Sequence, residues 1–274
     1  MGKLLVSRVF IPIVAVLCGI FFYLRPGGIE GPKPEAVPQV GKGFSHDLWT
    51  DFLTKVRRED GTVDFAAVHL HQELLDRYIG SLRAACPRST PHRFRDHQSR
   101  LAYYLNAYNA ILLNLLVRHC PMQSPSELYW ANGLFWRVSI LVGESPMTLT
   151  DLETQRLEPL VLRDPRVRLA LFRGTTSAPL LQKTAFLGET IDAQLNEIAS
   201  GIVDDPRFVS KDGNQVRLNP VFYWNQIEFG DFRTWFKSHD VIFSAETKFV
   251  RAEYDDEIAQ WNGSCGGLKA VSAH

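Results

Sequence analysis

Arg173 is followed by Gly174-Thr175-Thr176-Ser177. A guanidinium, flexible backbone amides and neighbouring hydroxyls are the ingredients of an anion site. The plainer reading is a solvated arginine in a polar turn. Ser177 has the hydroxyl of a nucleophile, but no histidine stands near it in sequence to act as its base. Asn106 and Asn109 are three apart, so they share one face of a helix, with Tyr103 one turn before. They suit either the lining of a site or a buried network bonded to nearby backbone. Glu153 has the chemistry of a general base. It also closes a Thr150-Asp151-Leu152-Glu153 capping box, in which its task would be to start a helix. Asn106, Asn109, Glu153 and Ser177 are therefore the candidates for catalysis.

Softer ligands are scattered. The cysteines, Cys18, Cys86, Cys120 and Cys265, form no C-x-x-C pair, and none of the 8 histidines sits in a metal-binding spacing. No metal and no cofactor is expected. Lys+Arg and Asp+Glu are both 30, for a formal net charge of +0. That removes the electrostatic argument for a nucleic-acid partner, which needs clustered, uncompensated cations. Apolar residues at 45% and charged residues at 22% describe a packed globular chain.

The elements that must hold these groups follow from periodicity. Helices are predicted over 44–56, 66–82, 100–119, 151–162, 191–203 and 232–237. The stretch 100–119 is the most hydrophobic of the domain, has no Gly or Pro inside and ends at Pro121, so it reads as a central buried helix. Strands are predicted over 135–141, 147–149, 167–172 and 241–249. A hairpin is expected around Asp212-Gly213-Asn214. On a 167–172 strand, Arg168 and Arg173 would face opposite sides. Helices alternating with short antiparallel hairpins imply a single α+β domain.

The N-terminus differs in kind. Lys3 and Arg8 precede an apolar run over 9–24, closed by Arg25. At about 1.5 Å per residue it would span about 24 Å as a helix. The exit Phe21-Phe22-Tyr23-Leu24 lacks the small residues of a signal-peptidase site, which favours a retained transmembrane anchor over a cleaved signal. Positive charge before the run predicts a cytoplasmic N-terminus, with the domain on the luminal, periplasmic or extracellular side. Prolines and glycines dominate 26–43, a tether. The expected organisation is an anchor over 1–25, a tether over 26–43, a domain over 44–262 and a tail over 263–274.

Four stretches, taken in order, resemble one family, the domain of unknown function 547. They are Gly61-Thr62-Val63-Asp64-Phe65, then Leu101-Ala102-Tyr103-Tyr104-Leu105-Asn106-Ala107-Tyr108-Asn109-Ala110, then Met147-Thr148-Leu149-Thr150-Asp151-Leu152-Glu153, and Asp164-Pro165-Arg166-Val167-Arg168-Leu169-Ala170-Leu171. The resemblance also implies groups that this chain lacks. The family's two cysteines fall on Arg173 and Ala178. Its two histidines fall on Thr154 and Arg168, and its Asp before the retained Trp224 falls on Tyr223. Thiols and imidazoles are the usual nucleophiles, bases and soft ligands near neutral pH.

The expectation is a membrane-tethered, catalytically degenerate member, a pseudoenzyme. It would act by binding an unknown protein or small ligand through Arg168, Arg173, Thr175, Thr176 and Trp224. The alternative is a hydrolase-like enzyme with a non-thiol site built from Asn106, Asn109, Glu153 and the 173–177 loop.

Overall fold

The structure is a computed structural model that describes residues 29–30, 43–120, 124–125, 133–161 and 164–257. Its centre is one long buried helix. The elements in chain order are β1 (Ile29–Glu30), α1 (Asp47–Val56), α2 (Phe65–Leu70), α3 (Gln72–Ala84), α4 (His97–Arg118), β2 (Ser139–Val142), β3 (Ser145–Met147) and α5 (Leu149–Leu152). A wide π-type turn over Glu153–Leu157 leads into α6 (Glu158–Val161), then α7 (Arg166–Leu169) and α8 (Ile191–Val203). The second half ends with β4 (Val209–Asp212), β5 (Gln215–Leu218), α9 (Pro220–Trp224), α10 (Gln226–Phe229), α11 (Phe232–Lys237) and β6 (Lys248–Arg251).

Helix α4 starts where Asp96 accepts the Ser99 amide hydrogen and runs without a breaker to Arg118. Every residue from Leu101 to Val117 is buried, so the helix has no solvent face along that length. Helix α3 packs on it, burying Leu75, Tyr78, Ile79 and Leu82, and α1 packs in turn on α3, burying Trp49, Phe52, Leu53 and Val56. Trp49 stacks on Tyr78 between them, ring centroids 5.7 Å apart.

Two small sheets flank this core. Strands β2 and β3 form an antiparallel hairpin around Gly143, and β1 adds to β2 in parallel. Strands β4 and β5 form the hairpin expected at Asp212-Gly213-Asn214, and β6 adds to β5 in parallel. Each sheet is thus mixed, where hairpins alone were expected. Ile29–Glu30, inside the stretch read as a tether, supplies one of the parallel strands.

The expected architecture needs a larger correction. It included a membrane-spanning helix, but no helix among the described residues is long and apolar enough to cross a membrane. The longest, α4, is enclosed by protein and carries buried Asn106, Asn109 and Asn114, so its apolar surface is spent inside the domain. The run over 9–24 lies outside the described residues. The 167–172 strand is also corrected. Asp164 bonds the Arg166 amide and guanidinium, and the chain turns through the short helix α7 before extending.

Candidate functional site

The site is assembled from α4 outward. Asn109 grips the chain just past α7 at two points, donating from Nδ2 to the Ala170 carbonyl (3.0 Å) and accepting at Oδ1 from the Phe172 amide (3.0 Å). Asn106 does the same one turn earlier, with the Phe186 carbonyl (2.8 Å) and amide (2.9 Å). Neither amide side chain has a donor or acceptor aimed at a ligand. They act as clamps that fix two loops against the central helix. Past the first clamp, Gly174 takes φ +78°, and a Cβ there would sit 2.3 Å from Leu116 Cδ1. Only glycine allows this close passage along α4.

The clamp and the turn aim Arg168 and Arg173 at one point. Arg168 reaches Glu153 through Nη1 (2.5 Å) and Glu158 through Nη2 (3.0 Å). Its Nε and Nη2 form a fork on Glu228 (2.8 and 2.7 Å). Arg173 Nη2 holds both oxygens of the same Glu153 (3.0 and 3.1 Å). Its guanidinium also lies 5.7 Å from the Tyr108 ring centre and 5.6 Å from that of Phe135. Two arginines therefore face three glutamates. The Arg168 side chain is only 9% exposed, and hydrogen bonds to Glu228 raise its guanidinium above the ordinary range, against the opposing effect of burial. This arginine cannot release a proton.

Glu153 is free for this duty because the capping box is set two residues earlier. Thr148 accepts the Asp151 amide hydrogen and Asp151 accepts that of Thr148. The π-type turn begins at Glu153 itself, a backbone widening often found at functional sites.

The hydroxyl-rich loop is closed from the far end of the chain. The Thr176 amide donates to the Glu257 carbonyl (2.9 Å), and the Ser177 amide to that of Asp255 (3.2 Å). Ser177 Oγ accepts from the Asp255 amide (2.8 Å). Thr175 is fully buried, its hydroxyl 2.5 Å from that of Tyr254, and burial pushes the Tyr254 phenol up. Two of the loop amides that an anion could use, those of Thr176 and Ser177, are thus already donated to carbonyls.

What remains open is a narrow cleft of about 30 Å³, lined among others by Arg168, Arg173, Ser177, Ala178, Trp224 and Tyr254. That is room for a water molecule, not for a substrate. Trp224 stands at its edge, 58% exposed. So the positions singled out by resemblance at Arg168, Arg173, Ala178 and Trp224 do meet at one place. Thr154 instead bonds the Thr150 carbonyl and is exposed, and Tyr223 packs on Phe232, 5.3 Å between centroids. Among the described residues no cysteine or histidine lines the cleft. No cluster of metal-ligating side chains occurs among them either. Cys86 is a buried free thiol, and Cys120 is held in a disulfide.

Glu158, Glu228, Asn219 and Tyr254 complete the site and were not singled out from the sequence. Asn219-Pro220 carried a signal, since Asn caps α9 ahead of Pro at its first turn. The same side chain holds the Ser177 carbonyl (2.8 Å). Glu228 carried none, because it meets Arg168 across 60 residues of chain.

A mixed α/β domain whose central helix clamps an arginine–glutamate cluster is the class of protein defined by this geometry. Residues 92–201 match the sequence profile of the family described as Protein of unknown function, DUF547. The chain thus carries a DUF547 match over those 110 of its 274 residues. Nothing matches it among the curated proteins or the solved structures.

Proposed function

We propose that this chain is a catalytically degenerate DUF547 protein that works by binding a protein partner at the rim of the Arg168 cleft. One observation carries the reading. Arg168 stands where the resemblance places a histidine and is tied to three glutamates in a cleft of about 30 Å³. A cation so compensated is neither base nor nucleophile, and the space is too small for a reacting molecule. A partner must therefore engage from outside. Trp224 offers what such a contact uses, a large exposed aromatic beside charged groups. The hydrolase-like alternative is less well supported. Asn106 and Asn109 are bonded to backbone, and Ser177 accepts a hydrogen bond instead of facing a base.

Two measurements test this. The full chain is assayed against ester, thioester and amide substrates, and no turnover above buffer is expected. Turnover that disappears in Glu153→Gln or Ser177→Ala would sink the reading. Partners retained from an extract of the cells that make the protein are then compared between Trp224→Ala and Leu70→Ala, the second removing an even more exposed apolar residue on α2. Loss in the first variant alone is expected, and equal retention by both counts against the rim.

A further inference from the structure

Pro179 lines the Arg168 cleft and also a second hollow, about 310 Å³ in volume, ten times larger by the same measure. Small-molecule sites begin at about this size. Its apolar lining comes from Leu180, Ile198, Ile202 and Phe208, with Gly201 of α8 between them. A Cβ at Gly201 would meet nothing within 4 Å, so the glycine answers no packing need and leaves the hollow unfilled.

At one side stands Arg57, which also lines a neighbouring hollow of about 280 Å³ together with Lys183. Arg57 is half-buried, and its hydrogen bonds go only to carbonyls, Nε to Leu181 (2.7 Å) and Nη1 to Arg58 (2.8 Å). No carboxylate is in ion-pair contact with it among the described residues. Asp60 acts on it only from a distance, its carboxylate being taken by Thr62. A guanidinium has five N–H donors, so most of this fork is still available. Arg207, on the same hollow, is different, because Asp205 occupies it through a doubled bond. Exposed Glu197 at the rim disfavours a ligand of high negative charge.

We propose that this hollow binds a monocarboxylate with an unbranched apolar tail, of the chemical class of a medium-chain fatty acid. Its head sits on Arg57 and its tail lies over Ile198, Gly201 and Ile202. The site does not depend on how the Arg168 cleft is read.

The test is calorimetric titration of the full chain with octanoate, and with octanol and octylammonium as neutral and cationic probes of equal length. Saturable binding of one octanoate per chain is expected, with octanol at least about tenfold weaker and octylammonium silent. Arg57→Gln should weaken octanoate by about tenfold or more. Gly201→Leu should abolish binding by filling the hollow while leaving the melting temperature at or above that of the parent, since leucine is the better helix former. Absence of saturation below about 1 mM, octanol binding as tightly as octanoate, or Gly201→Leu binding unchanged would each overturn the proposal. Should Arg57→Gln fail to fold, Gly201→Leu and the octanol comparison decide it alone.

Discussion

Arg168 and Arg57 are both withdrawn from water, yet they are held in opposite ways. Arg168 is enclosed by three carboxylates, four of its five N–H donors spent on them, beside a void of about 30 Å³. Arg57 touches only carbonyl oxygens and looks into about 310 Å³. The first arrangement spends a cation on the fold, as a knot between α7, the π-type turn and α10. The second keeps a cation in reserve. A buried arginine is therefore not evidence for a ligand site until its partners have been counted.

The sharpest way to break this contrast is to remove each arginine in turn. Arg168→Ala leaves three glutamates with one fewer cation in a nearly closed space, and a loss of about 3–5 kcal/mol is expected. Thermal unfolding should show it as a melting point lower by roughly 10 °C. Arg57→Ala should cost about 1–2 kcal/mol, the worth of its carbonyl bonds. Equal losses would mean that both arginines are structural.

Next comes the clamp that aims the cluster. Asn109→Ala strands the Ala170 carbonyl and the Phe172 amide in the core, and about 2–4 kcal/mol should be lost in denaturant unfolding. A loss below about 1 kcal/mol would show that α7 and Arg173 are positioned by something else.

Acid supplies the background against which these variants are read. Burial lowers the His46 imidazole from its ordinary 6.5 to about 3, with Asp47 opposing the shift. Between those values the unfolded chain takes up a proton that the folded one refuses, so stability falls as pH drops below 6.5. About 2 kcal/mol should be lost between pH 7 and 5, and His46→Gln should flatten that slope. An unchanged slope in His46→Gln would assign the acid sensitivity elsewhere.

The smallest effect has the opposite sign. Gly201→Ala meets open space within a helix and should gain about 1 kcal/mol. A destabilised variant would mean that the hollow is tighter than described.

Long-range order decided what the sequence could reveal. Helix α4 was legible because 17 consecutive buried positions leave one unbroken apolar run. The capping box was legible in kind but not in place. Thr148-Leu149-Thr150-Asp151 and Thr150-Asp151-Leu152-Glu153 both fit the pattern, and the structure uses the first, which releases Glu153. The segment after Pro165 was too short for periodicity to separate a strand from a helical turn. Read as a strand it sends Arg168 and Arg173 to opposite faces, whereas the turn of α7 and the bend at Gly174 bring both to Glu153. Glu228 and Tyr254 could not be found from local pattern at all, because their contacts lie 60 and 79 residues away in the chain.

The reach of Glu228 has a practical consequence. It lies beyond the 92–201 stretch that carries the family likeness, as do Asn219, Trp224 and Tyr254. A fragment trimmed to that likeness would strip Arg168 of its doubly bonded neighbour and uncover the buried hydroxyl of Thr175. The heritable signature and the cooperative unit have different borders here, and a laboratory that cuts at the former should recover an insoluble or molten product.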